Sequence, residues 1–241
     1  MSGEVPAAHG RMRNLLLSAL PLEEFELVRP HLEPVFFEQR ALLFEPEQRI
    51  EHVYFPESAV LSLVNRLEDG MTVEVGTAGY EGMAGLSLFL ADDTSSVQVF
   101  AQIPGAATRI EARAFTRLAG VPGPLHSILL RYTQAFLTQV AQTAACNAAH
   151  LVEQRCARWL LMTHDRVDGD TMPLTHEFMA FMLGVRRAGV TVAMSTLQDG
   201  GLIRYGRGKV SIEDREGLEG AACECYRVVR AHFERLLPRA A

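Results

Sequence analysis

The sequence predicts an α+β protein: an antiparallel β-roll, a long central helix, and a winged helix-turn-helix, meaning two short helices followed by a β-hairpin. Three observations carry this. Between residues 30 and 118, short β-branched or aromatic segments recur at about ten-residue spacing, the texture of an antiparallel roll or barrel. Residues 125–149 contain neither Gly nor Pro and step at heptad intervals. Residues 172–212 read as helix, glycine turn, helix and hairpin.

Composition agrees. In 241 residues, 48% hydrophobic and 22% charged side chains supply enough apolar material for packed cores and exclude global disorder. No apolar run approaches the ~18 residues of a membrane span, and the first fifteen residues lack the layout of a secretion signal, so a cytoplasmic protein is expected. The net charge of −6 hides a division. Residues 1–150 carry 10 Lys+Arg against 17 Asp+Glu, whereas residues 151–241 carry 13 against 12. Within residues 186–209 five cations face one acid, Asp199. Positive charge is gathered at one place.

Residues 11–29 read as short helical pieces, with Leu15, Leu16 and Leu20 before Pro21 and Phe25, Leu27 and Val28 after it. Strands are expected at Pro34–Phe37, His52–Phe55, Ala59–Val64, Thr72–Val75 and Val97–Ala101, separated by Pro- and Gly-containing turns. Along residues 125–149, Leu125, Leu129, Tyr132, Phe136, Gln139, Thr143 and Cys146 alternate steps of four and three along one helix face. A flank of Leu130, Leu137, Val140 and Ala144 offers a second apolar stripe. Two stripes suggest two neighbours, the roll and a symmetry mate, and the first set, Leu125 to Thr143, is taken as the homodimer interface. Domains are expected at 11–122, 123–149 and 150–241. A helix over His150–Val167 carries Leu151, Trp159, Leu160 and Met162 and ends at Asp168-Gly169-Asp170.

Thr175 is a suitable N-cap for His176–Leu183, with Glu177 in the first turn where the helix dipole favours an acid. Gly184 can supply a tight inter-helix turn, after which Val185, Val190 and Leu197 face the first helix. Leu202–Tyr205 and Lys209–Ile212 then make a hairpin, with Gly206 and Gly208 permitting positive φ. Arg186 and Arg187 open the second helix, the end that enters the major groove in this motif, where an Arg fork can bond guanine O6 and N7 or grip phosphates. Thr191 is a further polar candidate, and Arg204, Arg207 and Lys209 on the hairpin suit the neighbouring phosphate backbone. The expected partner is double-stranded promoter DNA.

This layout, with Leu174-Thr175, Leu183-Gly184-Val185 and Leu197-Gln198-Asp199-Gly200-Gly201-Leu202-Ile203, resembles the Crp/Fnr family of bacterial transcription regulators, whose roll is cyclic-nucleotide-binding-like. The resemblance implies a homodimer joined along the central helix, reading a two-fold symmetric operator, with the roll as sensor. The chain departs from it in places. In cyclic-nucleotide-binding members a Glu holds the ribose, and an Arg followed by Ser or Thr holds the phosphate. Matching Gly82 onward puts Met83 at the Glu position and Ser95 at the Arg position, with Ser96 beside it. Residues 67–108 hold no Lys or Arg at all. Ordinary cyclic AMP binding is therefore not expected. The oxygen-sensing members place an iron-sulfur cluster on amino-terminal cysteines, and here no Cys precedes Cys146. In the recognition helix Ala188 follows Arg187 and Val192 stands where many members carry Arg, so the operator sequence is not transferable.

No cofactor and no metal are expected. The spacings of Cys146, Cys156, Cys223 and Cys225 lack paired C-x-x-C knuckles, and i, i+2 neighbours on a helix point to different faces. The strand region offers His52 but no His-x-His cluster for a cupin-like enzyme. Two rivals remain: a thiol-based redox-responsive regulator, and an effector-free dimer whose roll contacts RNA polymerase or another protein.

Overall fold

A computed structural model describes residues 12–237; residue 11 and residues 238–241, which the sequence assigns to the first and last domains, lie outside the described residues. The chain opens with α1 (Leu15–Ser18), α2 (Leu22–Val28) and a 3-10 turn at Arg29–His31. Asn14 anchors this start. Its Oδ1 accepts from the Leu16 and Leu17 amides, while its Nδ2 donates to the Pro56 and Gly82 carbonyls. One buried side chain thus caps a helix and pins it to the roll.

The roll follows as β1 (Glu33–Phe37), β2 (Leu42–Phe44), β3 (His52–Pro56), β4 (Val60–Arg66), β5 (Thr72–Ala78), α3 (Leu86–Phe89), β6 (Gln98–Ile103) and β7 (Gly105–Glu111). These strands form two antiparallel sheets, ordered β1-β7-β3 and β2-β6-β4-β5. Strand β7 goes unnoticed in the sequence although it is the central strand of the first sheet. Its Gly105-Ala106-Ala107 start has low strand propensity and looks like a turn after Pro104. The small residues are needed there: a Cβ on Gly105 would lie 2.5 Å from the Ala59 amide nitrogen and 2.6 Å from the Ser58 carbonyl carbon.

Next come α4 (Ala112–Ala119), the long α5 (Pro124–Ala149) and α6 (Val152–His164). The remainder is β8 (Thr171–Met172), α7 (His176–Leu183), α8 (Arg187–Asp199), β9 (Ile203–Gly206), β10 (Lys209–Ile212), α9 (Arg215–Ala221) and α10 (Cys225–Leu236). No single helix among the described residues is long and apolar enough to cross a membrane.

Strand alternation gives the four-stranded sheet two buried faces. Leu61, Val99 and Ala101 point into the roll, joining Val53, Phe55, Ile110, Phe115 and one side of α5. Val60, Val64, Phe100 and Ile103 point outward into a second core with Trp159, Leu160, Phe178, Met179, Val190 and Leu197. The helix-turn-helix end is therefore packed on the back of the roll. Polar links cross the same junction: Trp159 Nε1 donates to Glu74 (2.9 Å) and Gln102 Nε2 to Thr163 (2.8 Å).

The heptad stripe assigned to the dimer is consumed inside one chain. Leu125 and Leu129 lie in the roll core, and Tyr132 donates its hydroxyl to the Met83 carbonyl. Phe136 lies against Gly76, Gln139 donates to the Thr77 carbonyl, and Thr143 accepts from Arg158. These six residues are intrachain packing, which corrects the expected interface. Heptad spacing locates a face but does not say what covers it. The opposite stripe stays open, with Leu130 52% and Leu137 56% exposed and Ala141, Ala144 and Ala148 exposed below them.

Candidate nucleic-acid interface

Thr175 Oγ1 accepts from the Phe178 amide at 3.1 Å and starts α7. Leu183 ends it, because Gly184 takes φ +60°, and a Cβ there would also press on Val73 Cγ2 at 2.5 Å. The chain turns by 112° between α7 and α8, within the range of a helix-turn-helix. Val190, Ala193, Met194 and Leu197 form the buried face of α8. Its opposite face, including Arg187, Ala188, Thr191, Val192 and Ser195, is exposed.

β9 and β10 pair in register from Lys209 opposite Gly206 to Ile212 opposite Ile203, and β8 adds a third strand. The hairpin turn differs from expectation. The positive-φ residues are Arg207 (φ 51°) and Gly208 (φ 73°), not the two glycines, which matches a turn with both central residues left-handed. The strained position thus carries a cation at the tip of the wing.

His176 joins the two parts. Its ring stacks on Tyr205 of β9 with centroids 4.1 Å apart, and its Nδ1 meets Thr191 Oγ1 of α8 at 3.1 Å. Burial, followed by the Arg187 charge, pushes its pKa below the ordinary imidazole value, so the neutral ring is favoured. Sequence reading missed this residue; the only available signal was its position directly after the N-cap.

All six expected contact residues, Arg186, Arg187, Thr191, Arg204, Arg207 and Lys209, are exposed. They are not equally free. Thr191 also donates to the Arg187 carbonyl, and Arg204 pairs with Glu213 at 3.0 Å. Among the described residues, Arg186, Arg187, Arg207 and Lys209 have no ion-pair partner. Some surface arginines are paired, such as Arg109 with Glu33 and Arg230 with Glu234, and others, such as Arg66, Arg117 and Arg227, are exposed without an ion pair among the described residues; what sets the four apart is that they cluster at the start of α8 and on the wing. Arg186 is the N-cap of α8, whose first turn holds no acid, so unpaired N–H groups and guanidinium charge point the same way.

The roll positions have a different character. Met83 is buried in the roll core, and Ser95 is buried with its hydroxyl donating to the Val97 carbonyl. Gly82 is held by Asn14, and Ser96 lies on the surface. Arg49, whose backbone forms a β-bridge with Thr94 beside Ser95, pairs with Asp93 at 3.2 Å. One cleft of the described surface lies between α6, α10 and the Tyr80–Glu81 turn, and another between the roll and α7.

A roll, a stalk helix and a winged helix-turn-helix together define the fold of the Crp/Fnr transcription regulators, and this chain has that fold. Residues 154–221 match the family described as the Crp-like helix-turn-helix domain. FixK2 from Bradyrhizobium japonicum superposes with a TM-score of 0.68 at 16% identity, covering 80% of this chain and 98% of FixK2. A transcriptional regulator of the CRP family from Thermus thermophilus gives 0.66 at 19% identity, covering 79% and 99%. The c-di-GMP responsive global regulator CLP of Xanthomonas campestris gives 0.60 at 18% identity, covering 79% and 98%. No curated protein matches by sequence. The Thermus thermophilus protein is described as a transcriptional regulator and CLP as a global regulator.

Proposed function

We propose that the protein is a sequence-specific, DNA-binding transcription regulator that inserts the N-terminal end of α8 into the major groove and lays the β9–β10 wing along the adjacent backbone. The observation that carries this reading is the set of four exposed cations without ion-pair partners, Arg186 and Arg187 at the start of α8 and Arg207 and Lys209 on the wing. Exposed arginines without an ion pair among the described residues occur elsewhere in the chain, such as Arg66 and Arg227; it is the gathering of four such cations on one helix start and the neighbouring wing that suits a polyanion. Lys209 is the chain's single lysine, and it stands on this surface. His176 keeps helix and wing on one side of the molecule, so both can meet one duplex.

The protein acts as a homodimer on a two-fold symmetric operator. The stripe of Leu130, Leu137, Ala141, Ala144 and Ala148 supports this: small residues let two copies of α5 approach closely, and two leucines supply apolar area. The roll does not gate the reader through cyclic AMP. Met83 fills the place of a ribose-binding acid, and no cation free of a carboxylate stands at the phosphate position.

The test is duplex binding by the full chain across a salt series. Each phosphate neutralised steepens the log–log slope by about 0.9, so replacing all four cations by Gln, with Arg187 directed at a base and the other three at phosphates, is expected to flatten it by about 3 per chain. An unchanged slope would refute the assignment. Calorimetry with cyclic AMP is expected to show no heat of binding; micromolar affinity would refute the statement about gating.

A further inference from the structure

Four side chains far apart in sequence meet where the end of α5 touches the start of α10. The long helix contributes Cys146 and, one turn later, His150; Cys223 lies just before α10 and Cys225 is its first residue. One donor atom from each lies within 4.8 Å of all the others. Cys146 Sγ and Cys223 Sγ are 3.5 Å apart, as are Cys225 Sγ and His150 Nδ1. The linear spacing set these cysteines aside as metal ligands because it cannot show that helix packing brings residue 146 against residues 223 and 225.

These separations suit a single four-coordinate ion. Zinc with bonds of about 2.3 Å to sulfur and about 2.0 Å to nitrogen holds its sulfurs roughly 3.8 Å apart, and sulfur and nitrogen roughly 3.5 Å apart, in a tetrahedron. A polynuclear cluster would spread its ligands over several metal atoms and require a wider set. The surroundings point the same way. His150 turns its other nitrogen, Nε2, toward Glu224 at 3.4 Å, the carboxylate–histidine arrangement that orients a metal-bound imidazole. Gln142 Nε2 donates to Cys225 Sγ at 3.1 Å, a contact suited to a thiolate.

Charge supplies a second, independent observation. Three thiolates and a neutral imidazole around Zn2+ leave one net negative charge. Arg155 and Arg158 are only 8% and 5% exposed, and among the described residues neither is in an ion pair. The Nε of each is buried without a hydrogen-bond partner. Both feel the cysteine cluster electrostatically, and Arg158 grips Thr143 one turn before Cys146. Arg158 also acts on Glu74, but among the described residues neither guanidinium has a carboxylate within ion-pair distance, and an anionic metal–thiolate centre beside them offsets part of the cost of burying them.

We propose that Cys146, His150, Cys223 and Cys225 form a mononuclear Zn2+ site that fastens the last helix to the end of the central helix. The site goes beyond DNA recognition and stands whether or not the chain binds a duplex. It joins the stalk to the segment that follows the wing, so occupancy stiffens the attachment of the reading domain.

The full chain, purified under reducing conditions without a metal-affinity step, is stripped with a chelator and titrated with Zn2+ against a chromophoric competitor. One tightly bound zinc per chain is expected. Co2+ in its place gives the intense visible bands of a tetrahedral thiolate centre. Cys225→Ser and His150→Ala weaken zinc binding by about tenfold or more, and Glu224→Gln by a smaller factor. Cys156→Ser, whose thiol lies in the second core, leaves binding unchanged. The wild-type titration decides the matter even if a variant misfolds. Absence of zinc uptake by the reduced wild-type chain, recovery of iron with sulfide in place of zinc, or wild-type affinity in a folded Cys225→Ser chain would each overturn the proposal.

Discussion

The roll and the reading domain use the same packing rules and finish with opposite surfaces. In the roll, the residues expected at a nucleotide-binding relative's ligand positions engage the chain itself: Met83 lies in the core with Tyr132 bonded to its carbonyl, Ser95 donates to Val97, and neighbouring Arg49 pairs with Asp93. In the reading domain, Arg186, Arg187, Arg207 and Lys209 are exposed, and the hydrophobic side of α8 carries the folding. The comparison teaches that exposure alone does not mark a contact surface, since Arg66, Arg117 and Arg227 are also exposed without ion pairs among the described residues; the gathering of cations at one helix start and its neighbouring wing is what distinguishes the second region.

The largest effect is expected at the open stripe of α5. Leu137→Arg places a charge in the centre of the proposed dimer contact and converts dimer to monomer, measured by sedimentation. Operator affinity falls by about 10² to 10⁴, because two linked half-site contacts become one. A stable dimer with unchanged affinity would move the interface elsewhere.

The polar junction between roll and reader comes next. Glu74, 7% exposed, lies between Ser62 and Trp159, and burial raises its pKa to about 7, against partial relief from those two hydrogen bonds. Ser62 Oγ lies within hydrogen-bond reach of both Glu74 Oε2 (2.6 Å) and Gln102 Oε1 (2.7 Å) but has one proton. A protonated Glu74 resolves this by donating to Ser62, which donates onward to Gln102. The raised pKa means that the folded state holds this proton more tightly than the unfolded chain. Its stabilisation is complete below the unfolded value near 4.5 and is lost as pH rises to about 7. Glu74→Gln keeps both bonds without the charge. It should be more stable than the wild type by about 3 kcal/mol at pH 8 and nearly equal at pH 4.5, read by denaturant unfolding. A pH-independent difference would contradict the protonated link.

Within the reader, Arg187→Ala should weaken specific operator binding by about 1 to 3 kcal/mol and relax selection at one base position. The smallest effect belongs to the wing. Lys209→Ala should weaken all duplexes alike and lower the salt slope by about one. If the two variants behaved identically, helix and wing would not have separate roles.

How much was legible in the sequence follows from the range of the signals. Thr175, Gly184 and the Arg186–Arg187 pair act within a few residues, so the helix-turn-helix could be read locally. Strands with β-branched residues were likewise visible, while β7 was not, because its Gly105-Ala106-Ala107 start is dictated by the approach of Ser58 and Ala59 from the turn between β3 and β4. The Leu125–Thr143 stripe announced burial without naming its partner. His176 gained its role from Tyr205 and Thr191, and the cysteines gained theirs from the packing of α10 on α5. Each of these depends on contacts between residues distant along the chain, where spacing carries no information.

The most direct measurement is selection of bound duplexes from a random library by the wild-type protein at low ionic strength. The account predicts enrichment of an inverted repeat whose half-sites lie about one helical turn, ~10 base pairs, apart. Recovery of no duplex above background, or of a motif without two-fold symmetry, would contradict it.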